Sequence, residues 1–104
     1  MESERDGLFT LMAGYFHQDW DLDDPTWEAV VERYLRDANP SQIVALHREL
    51  GRVLERSKEE HLERLLFQDW GCQFDPRPEY SLREWLVAIS ELVDRYSASR
   101  GLLR

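Results

Sequence analysis

Asp19, Asp21 and Asp23 alternate with Trp20 and Leu22, the spacing at which a calcium loop presents its first oxygen ligands. Such a loop also needs glycine at its sixth place and a bidentate glutamate at its twelfth, and this chain has Asp24 and Val30 there. Pro25 then reads as a helix start inside the would-be loop. Solvated aspartates flanking a helix N-terminus, where the aligned peptide dipoles favour negative charge, account for the same residues. The three histidines, His17, His47 and His61, fall in separate segments with no His-x-x-x-His or Glu-x-x-His pairing around them, so ligand spacing is lacking. His17 beside Asp19 is the one pair on which a small metal-dependent enzyme could be built; a hydrogen bond pinning the chain is the simpler role for that histidine. The signatures of a serine nucleophile, a phosphate-cradling glycine loop and a reactive cysteine pair are missing. The sequence therefore predicts no catalytic residue, no metal and no cofactor, and a binding module before an enzyme.

Charge points the same way. The chain has 104 residues with 21 acids against 13 Lys and Arg, a net charge of −8. An acidic chain is a poor ligand for a polyanion, so nucleic acid is not an expected partner. The imbalance is uneven: residues 1–40 hold 10 acids and 3 bases, residues 41–104 hold 11 and 10. If the first two helices stay together, one side of the molecule carries a negative field that speeds encounter with a basic partner. A single cysteine, Cys72, rules out an internal disulfide. No signal-like start or membrane-spanning apolar run is present, and a soluble protein of the reducing cytoplasm is expected.

These residues need positioning elements, and the apolar periodicity supplies them. Leu8, Leu11, Met12 and Tyr15 form a stripe over about Asp6 to Phe16, with Gly14 weakening the last turn. A second helix is predicted to open with Asp24 as cap and Pro25 at the first helical position, its stripe being Trp27, Val30, Val31, Tyr34, Leu35 and Ala38. Asn39-Pro40 ends it and caps a third helix, to Arg56, with Gln42 reaching back; Gly51 inside it suggests a close helix crossing. Ser57-Lys58-Glu59-Glu60 reads as a capping box for a fourth helix that stops at Gly71 in the left-handed conformation. Cys72 to Tyr80, with two prolines, reads as a loop. A further capping box, Ser81 with Glu84, opens the last helix, whose stripe includes Trp85, Leu86 and Ile89 and which is expected to fray after Ser97. The expectation is all-α: one single-domain bundle of about five helices spanning residues 1–104.

Between the first two helices, Tyr15, Phe16 and Trp20 want burial while Asp19, Asp21, Asp23 and Asp24 want water or a cation. The segment reads as a hinge with buried rings and an acidic rim. The four tryptophans lie at helix boundaries or on stripes, as core and corner residues do. The similar stretch Phe67-Gln68-Asp69-Trp70 has different flanking stripes and is read as a chance echo.

The run Tyr15-Phe16-His17-Gln18-Asp19-Trp20, followed by a helix, a proline-containing loop and Ser81-Leu82-Arg83-Glu84-Trp85-Leu86, resembles the bacterial contact-dependent growth inhibition immunity proteins over about Leu8 to Leu92. The loop departs from the pattern in having Arg77-Pro78-Glu79-Tyr80 where a glycine is expected. The resemblance implies a cytosolic, non-catalytic protein that binds the C-terminal toxin domain of a contact-dependent growth inhibition effector, often a nuclease with a basic groove. It also implies that Tyr15, Phe16, His17, Gln18, Asp19, Trp20 and Trp85 hold the fold, since relatives facing different toxins would share them. Toxin binding then falls to Asp21, Asp23, Asp24, Glu28 and Glu32. The alternative is an acidic adaptor or nucleic-acid mimic for another basic protein of the cytoplasm.

Overall fold

In the computed structural model, residues 6–17, 20–23 and 25–101 are described. Helix α1 begins as an α-helix over Asp6–Phe9 and widens to π-helical geometry over Thr10–Tyr15. A single turn, α2, spans Trp20–Asp23; α3 is Trp27–Asp37 and α4 is Pro40–Arg56. Helix α5 repeats the pattern of α1, α-helical over Glu59–Glu63 and π-helical over Arg64–Asp69, and α6 is Leu82–Arg100. Among the described residues there is no strand, so the expected all-α bundle is what forms, with α2 as an added turn that periodicity could not show.

The core is one cluster. The stripes Leu8–Leu11–Met12 of α1, Val30–Val31–Tyr34–Leu35 of α3, Ile43–Leu46–Leu50 of α4, Leu62–Leu66 of α5 and Leu82–Trp85–Leu86–Ile89–Val93 of α6 converge on it. Helix α6 packs against α3, α4 and α5, while α1 lies across α4. Trp85 is fully buried at the centre and Trp70 nearly so, with Trp20 and Trp27 half-buried at the edge. His47, half-buried, reaches from α4 to Asp94 of α6, with Nε2 and Oδ1 2.6 Å apart; His61 is exposed.

Two caps follow the sequence closely. Asn39 accepts from the Gln42 N–H at 2.8 Å while the Gln42 side chain accepts from the Asn39 N–H at 2.8 Å. Ser81 and Glu84 form the reciprocal pair at the start of α6. Gly71 stops α5 with φ of +69°, in the left-handed region where a Cβ is disfavoured.

Other expectations are corrected. Helix α3 does not open at Pro25: its cap is Thr26, whose Oγ1 accepts from the Ala29 N–H at 3.2 Å. A cap needs extended backbone and an oxygen aimed at the next turn, and Thr26 has both. Asp24, the expected cap, lies outside the described residues.

Ser57 does not cap α5 either. It is buried as the residue ending α4, and α5 starts after Lys58 with no side-chain cap. Glu59, the other half of the expected box, turns to a different helix. Its Oε2 accepts from the Leu82 N–H at 2.7 Å and its Oε1 from the Arg83 N–H at 3.2 Å. With Ser81 and Glu84, the four N–H groups at the start of α6 are then all satisfied, the first-turn donors every helix leaves open.

The close crossing is at Gly7, not Gly51. A Cβ on Gly7 would stand 3.3 Å from the Leu46 Cα, whereas one on Gly51 would meet nothing within 4 Å. Beside that crossing the buried Glu49, one turn beyond Leu46, accepts from the Leu8 N–H at 3.1 Å. Helix α6 also runs past Ser97 to Arg100 and ends on Gly101 at φ +68°. Ser97 itself is buried.

Candidate functional site

The π-helical end of α1 sets up the hinge. The Phe16 N–H reaches five residues back to the Leu11 carbonyl at 3.0 Å, and the Trp20 N–H donates to the His17 carbonyl at 3.0 Å, folding the chain into α2. The Phe16 carbonyl accepts from the Gln73 N–H at 2.9 Å, which ties the hinge to the segment after α5. That segment follows the same kind of helix end, since the Trp70 N–H also reaches five residues back, to Leu65. The two similar sequences are nevertheless out of step: Phe16 follows its π-helix while Phe67 lies within one.

The rings then meet. Phe16 lies 5.3 Å from Trp85 edge-on, 5.8 Å from Phe74 stacked and 5.9 Å from Trp20. Trp20 stands on Phe74 at 5.0 Å, and Trp27 contacts Trp85 and Tyr80, each at 6.0 Å. Edge-on and offset rings at these distances attract beyond their burial. Tyr15 turns the other way: its hydroxyl donates to Asp37 Oδ2 at 2.8 Å, its ring meets Tyr34 edge-on at 5.2 Å, and Arg33 lies over it at 5.0 Å. Burial, helped by Asp37, raises the Tyr15 pKa; burial with Tyr15 and Glu49 nearby pushes Tyr34 up to about 12. The two separate motifs of the sequence thus form one aromatic cluster. His17 is half-buried in the turn between α1 and α2, and Gln18 and Asp19 lie outside the described residues.

The loop from Gly71 to Tyr80 is anchored as firmly. The Cys72 N–H donates to the Leu66 carbonyl at 2.8 Å, and burial pushes the Cys72 thiol up to about 12. Arg77 grips Asp75 through Nε and Nη2 at 2.9 and 2.8 Å, lies 3.6 Å from Glu63 and stacks on Phe67 at 5.5 Å. The same Arg77 bonds hold the Asp75 carboxyl below its ordinary range. Sequence reading missed this hub because its partners lie on α5 and in the loop.

Asp21 and Asp23 are on α2, Glu28 is in the first turn of α3 and half-buried, and Glu32 is one turn further and exposed. Glu28 is thus less open than Glu32. Asp24 lies outside the described residues. Leu22, between the two aspartates of α2, is 79% exposed. Among the described residues no three His, Cys, Asp or Glu side chains gather as metal ligands do, and no helix is long and apolar enough to cross a membrane.

A family model described as CdiI immunity protein matches residues 5–93. That span takes in the hinge, the loop and most of α6. No curated protein and no solved structure matches the chain.

Proposed function

The chain belongs to the CdiI immunity protein family, whose role is toxin neutralisation in contact-dependent growth inhibition, and we propose that it does this by presenting its acidic rim to a basic groove on its cognate toxin domain. In this reading the partner is the C-terminal toxin domain of the effector, a nuclease whose substrate groove the immunity protein blocks in the cytoplasm. The protein acts by binding, without catalysis. The aromatic cluster of Phe16, Trp20, Phe74 and Trp85 holds the shape, and Asp21, Asp23, Asp24, Glu28 and Glu32 meet the toxin.

The observation that carries the proposal is the separation of charge. The first 40 residues hold 10 acids and 3 bases, and acids of that stretch fall on α2 and the first two turns of α3. A nuclease groove is built to attract phosphates, so a carboxylate array offers it matching charge. The test is the association of the protein with the co-encoded toxin domain after reversal of Asp21, Asp23, Glu28 and Glu32. Slower association with the fold intact supports the acidic rim as the interface; unchanged kinetics place the interface elsewhere on the molecule.

A further inference from the structure

A groove runs between α3 and the C-terminal half of α6, with the half-buried Leu92 and Tyr96 as its apolar part and Arg36, Arg95 and Arg100 around it. Three arginines round one groove stand out in a chain of net charge −8. Among the described residues, neither Arg36 nor Arg95 has a carboxylate within ion-pair distance. Glu32 also borders the groove, one turn from Arg36, without pairing with it. Arg100 lies over the Tyr96 ring at 4.8 Å, which holds its guanidinium beside the apolar part. The groove therefore offers an apolar surface bordered by available guanidinium groups, suited to a segment with an apolar side chain between carboxylates.

The molecule carries such a segment. Helix α2 sets Leu22 between Asp21 and Asp23, and Leu22 is 79% exposed, the most open of the large exposed apolar side chains. We infer that the free protein pairs with a second copy of itself, the α2 turn of each chain seating Leu22 against Leu92 and Tyr96 of the other, which brings the acidic sequence of that turn to the groove of Arg36 and Arg95. Reciprocal seating closes a two-fold pair, so association stops at two chains. Two molecules of net charge −8 repel at long range, but at about 0.15 M salt that repulsion is screened beyond roughly 8 Å. Contacts inside the groove lie within that distance, so the pair is held by local match against an unfavourable overall charge and dissociates readily. The inference stands apart from the proposed toxin binding. Because α2 is also part of the proposed toxin-facing rim, a toxin that takes α2 competes with self-association.

The test is a charge swap followed by sedimentation equilibrium at physiological salt. The parent is expected to show a concentration-dependent monomer–dimer equilibrium. Asp21→Arg with Asp23→Arg in one chain, and Arg36→Glu with Arg95→Glu in another, should each weaken self-association at least tenfold. An equimolar mixture of the two variants should then pair, because the acidic turn of the second meets the basic groove of the first while the basic turn of the first meets the acidic groove of the second. That recovery also separates a lost contact from a lost fold. A parent that stays monomeric up to about 1 mM, the weak end of measurable affinity, overturns the inference. So does a mixture that fails to pair. If the parent is monomeric and the arginine reversal instead weakens binding of the co-encoded toxin, the groove belongs to the toxin and not to a second copy.

Discussion

Trp85 shows how much one side chain can hold. It is fully buried, touches Phe16, Phe74 and Trp27, and its indole Nε1 has no hydrogen-bond partner among the described residues. Trp85→Ala leaves a cavity with several rings on its wall and should cost about 3–5 kcal/mol, a large part of the roughly 5–15 kcal/mol that keeps a domain folded. Trp85→Phe keeps most of the ring contact and removes a buried donor that has given up water, a saving of about 1–3 kcal/mol against its smaller volume. Urea melts of both should therefore show the phenylalanine variant far closer to the parent. Equal losses would mean that the indole N–H has a partner after all.

Cys72 allows a second measurement on a single residue. Burial pushes its thiol from 9.0 to about 12, so folding favours the neutral form. The linked stability is fully present below pH 9.0 and is lost as the pH climbs through about 12. Because the thiolate is the reacting species, labelling by a thiol reagent at neutral pH should be slow in the native protein and fast in urea, its midpoint matching that of unfolding. Rapid labelling of the folded protein would show Cys72 to be open.

Between helices, contact and capping set the energies. Gly7→Ala brings a Cβ to 3.3 Å from the Leu46 Cα, so α1 and α4 must part by a few tenths of an ångström, an overpacking cost of about 1–3 kcal/mol that outweighs the gain of about 0.5–1 kcal/mol in helix propensity. Gly51→Ala adds a methyl to an open helix face and should stabilise by about 0.5–1 kcal/mol through helix propensity alone. Melts of the two variants should move in opposite directions; movement the same way would put the crossing elsewhere. Glu59→Ala removes the carboxylate that caps α6 from outside and should cost about 0.5–2 kcal/mol, as the loss of a helix cap does. Glu59→Gln, which retains one acceptor, should recover part of it. A Glu59→Ala variant as stable as the parent would show the bonds to Leu82 and Arg83 to be replaced by water without loss.

For the molecule as a whole, the prediction concerns rate. Reversing Asp21, Asp23, Glu28 and Glu32 takes the net charge from −8 to neutrality. Against a basic toxin groove, association should slow about tenfold or more at low ionic strength. Raising salt should erase much of that difference, because exposed charges are screened beyond roughly 10 Å at 0.1 M. Stopped-flow mixing of parent and variant with the toxin domain at two salt concentrations measures it. Identical rates at both would remove the acidic rim from the interface.

The five main helices, the Asn39 and Ser81 caps, the stop at Gly71 and the burial of Trp85 could all be read from the chain itself. Each depends on periodicity or on residues within one turn of one another, and such couplings are written locally. The resemblance of the two aromatic motifs to immunity proteins was legible for the same reason. What lay beyond the sequence involves partners distant along it: Glu49 reaching Leu8 across 41 residues, Glu59 reaching Leu82 across 23, and Arg36 sharing a groove with Arg95. Glu49 left one signal, a charge inside an apolar stripe, but nothing local could say which N–H it would meet. Which glycine lies at a crossing and which acid caps a neighbour are settled only when helices pack, because an N–H left open at a helix start takes whatever acceptor the fold brings to it.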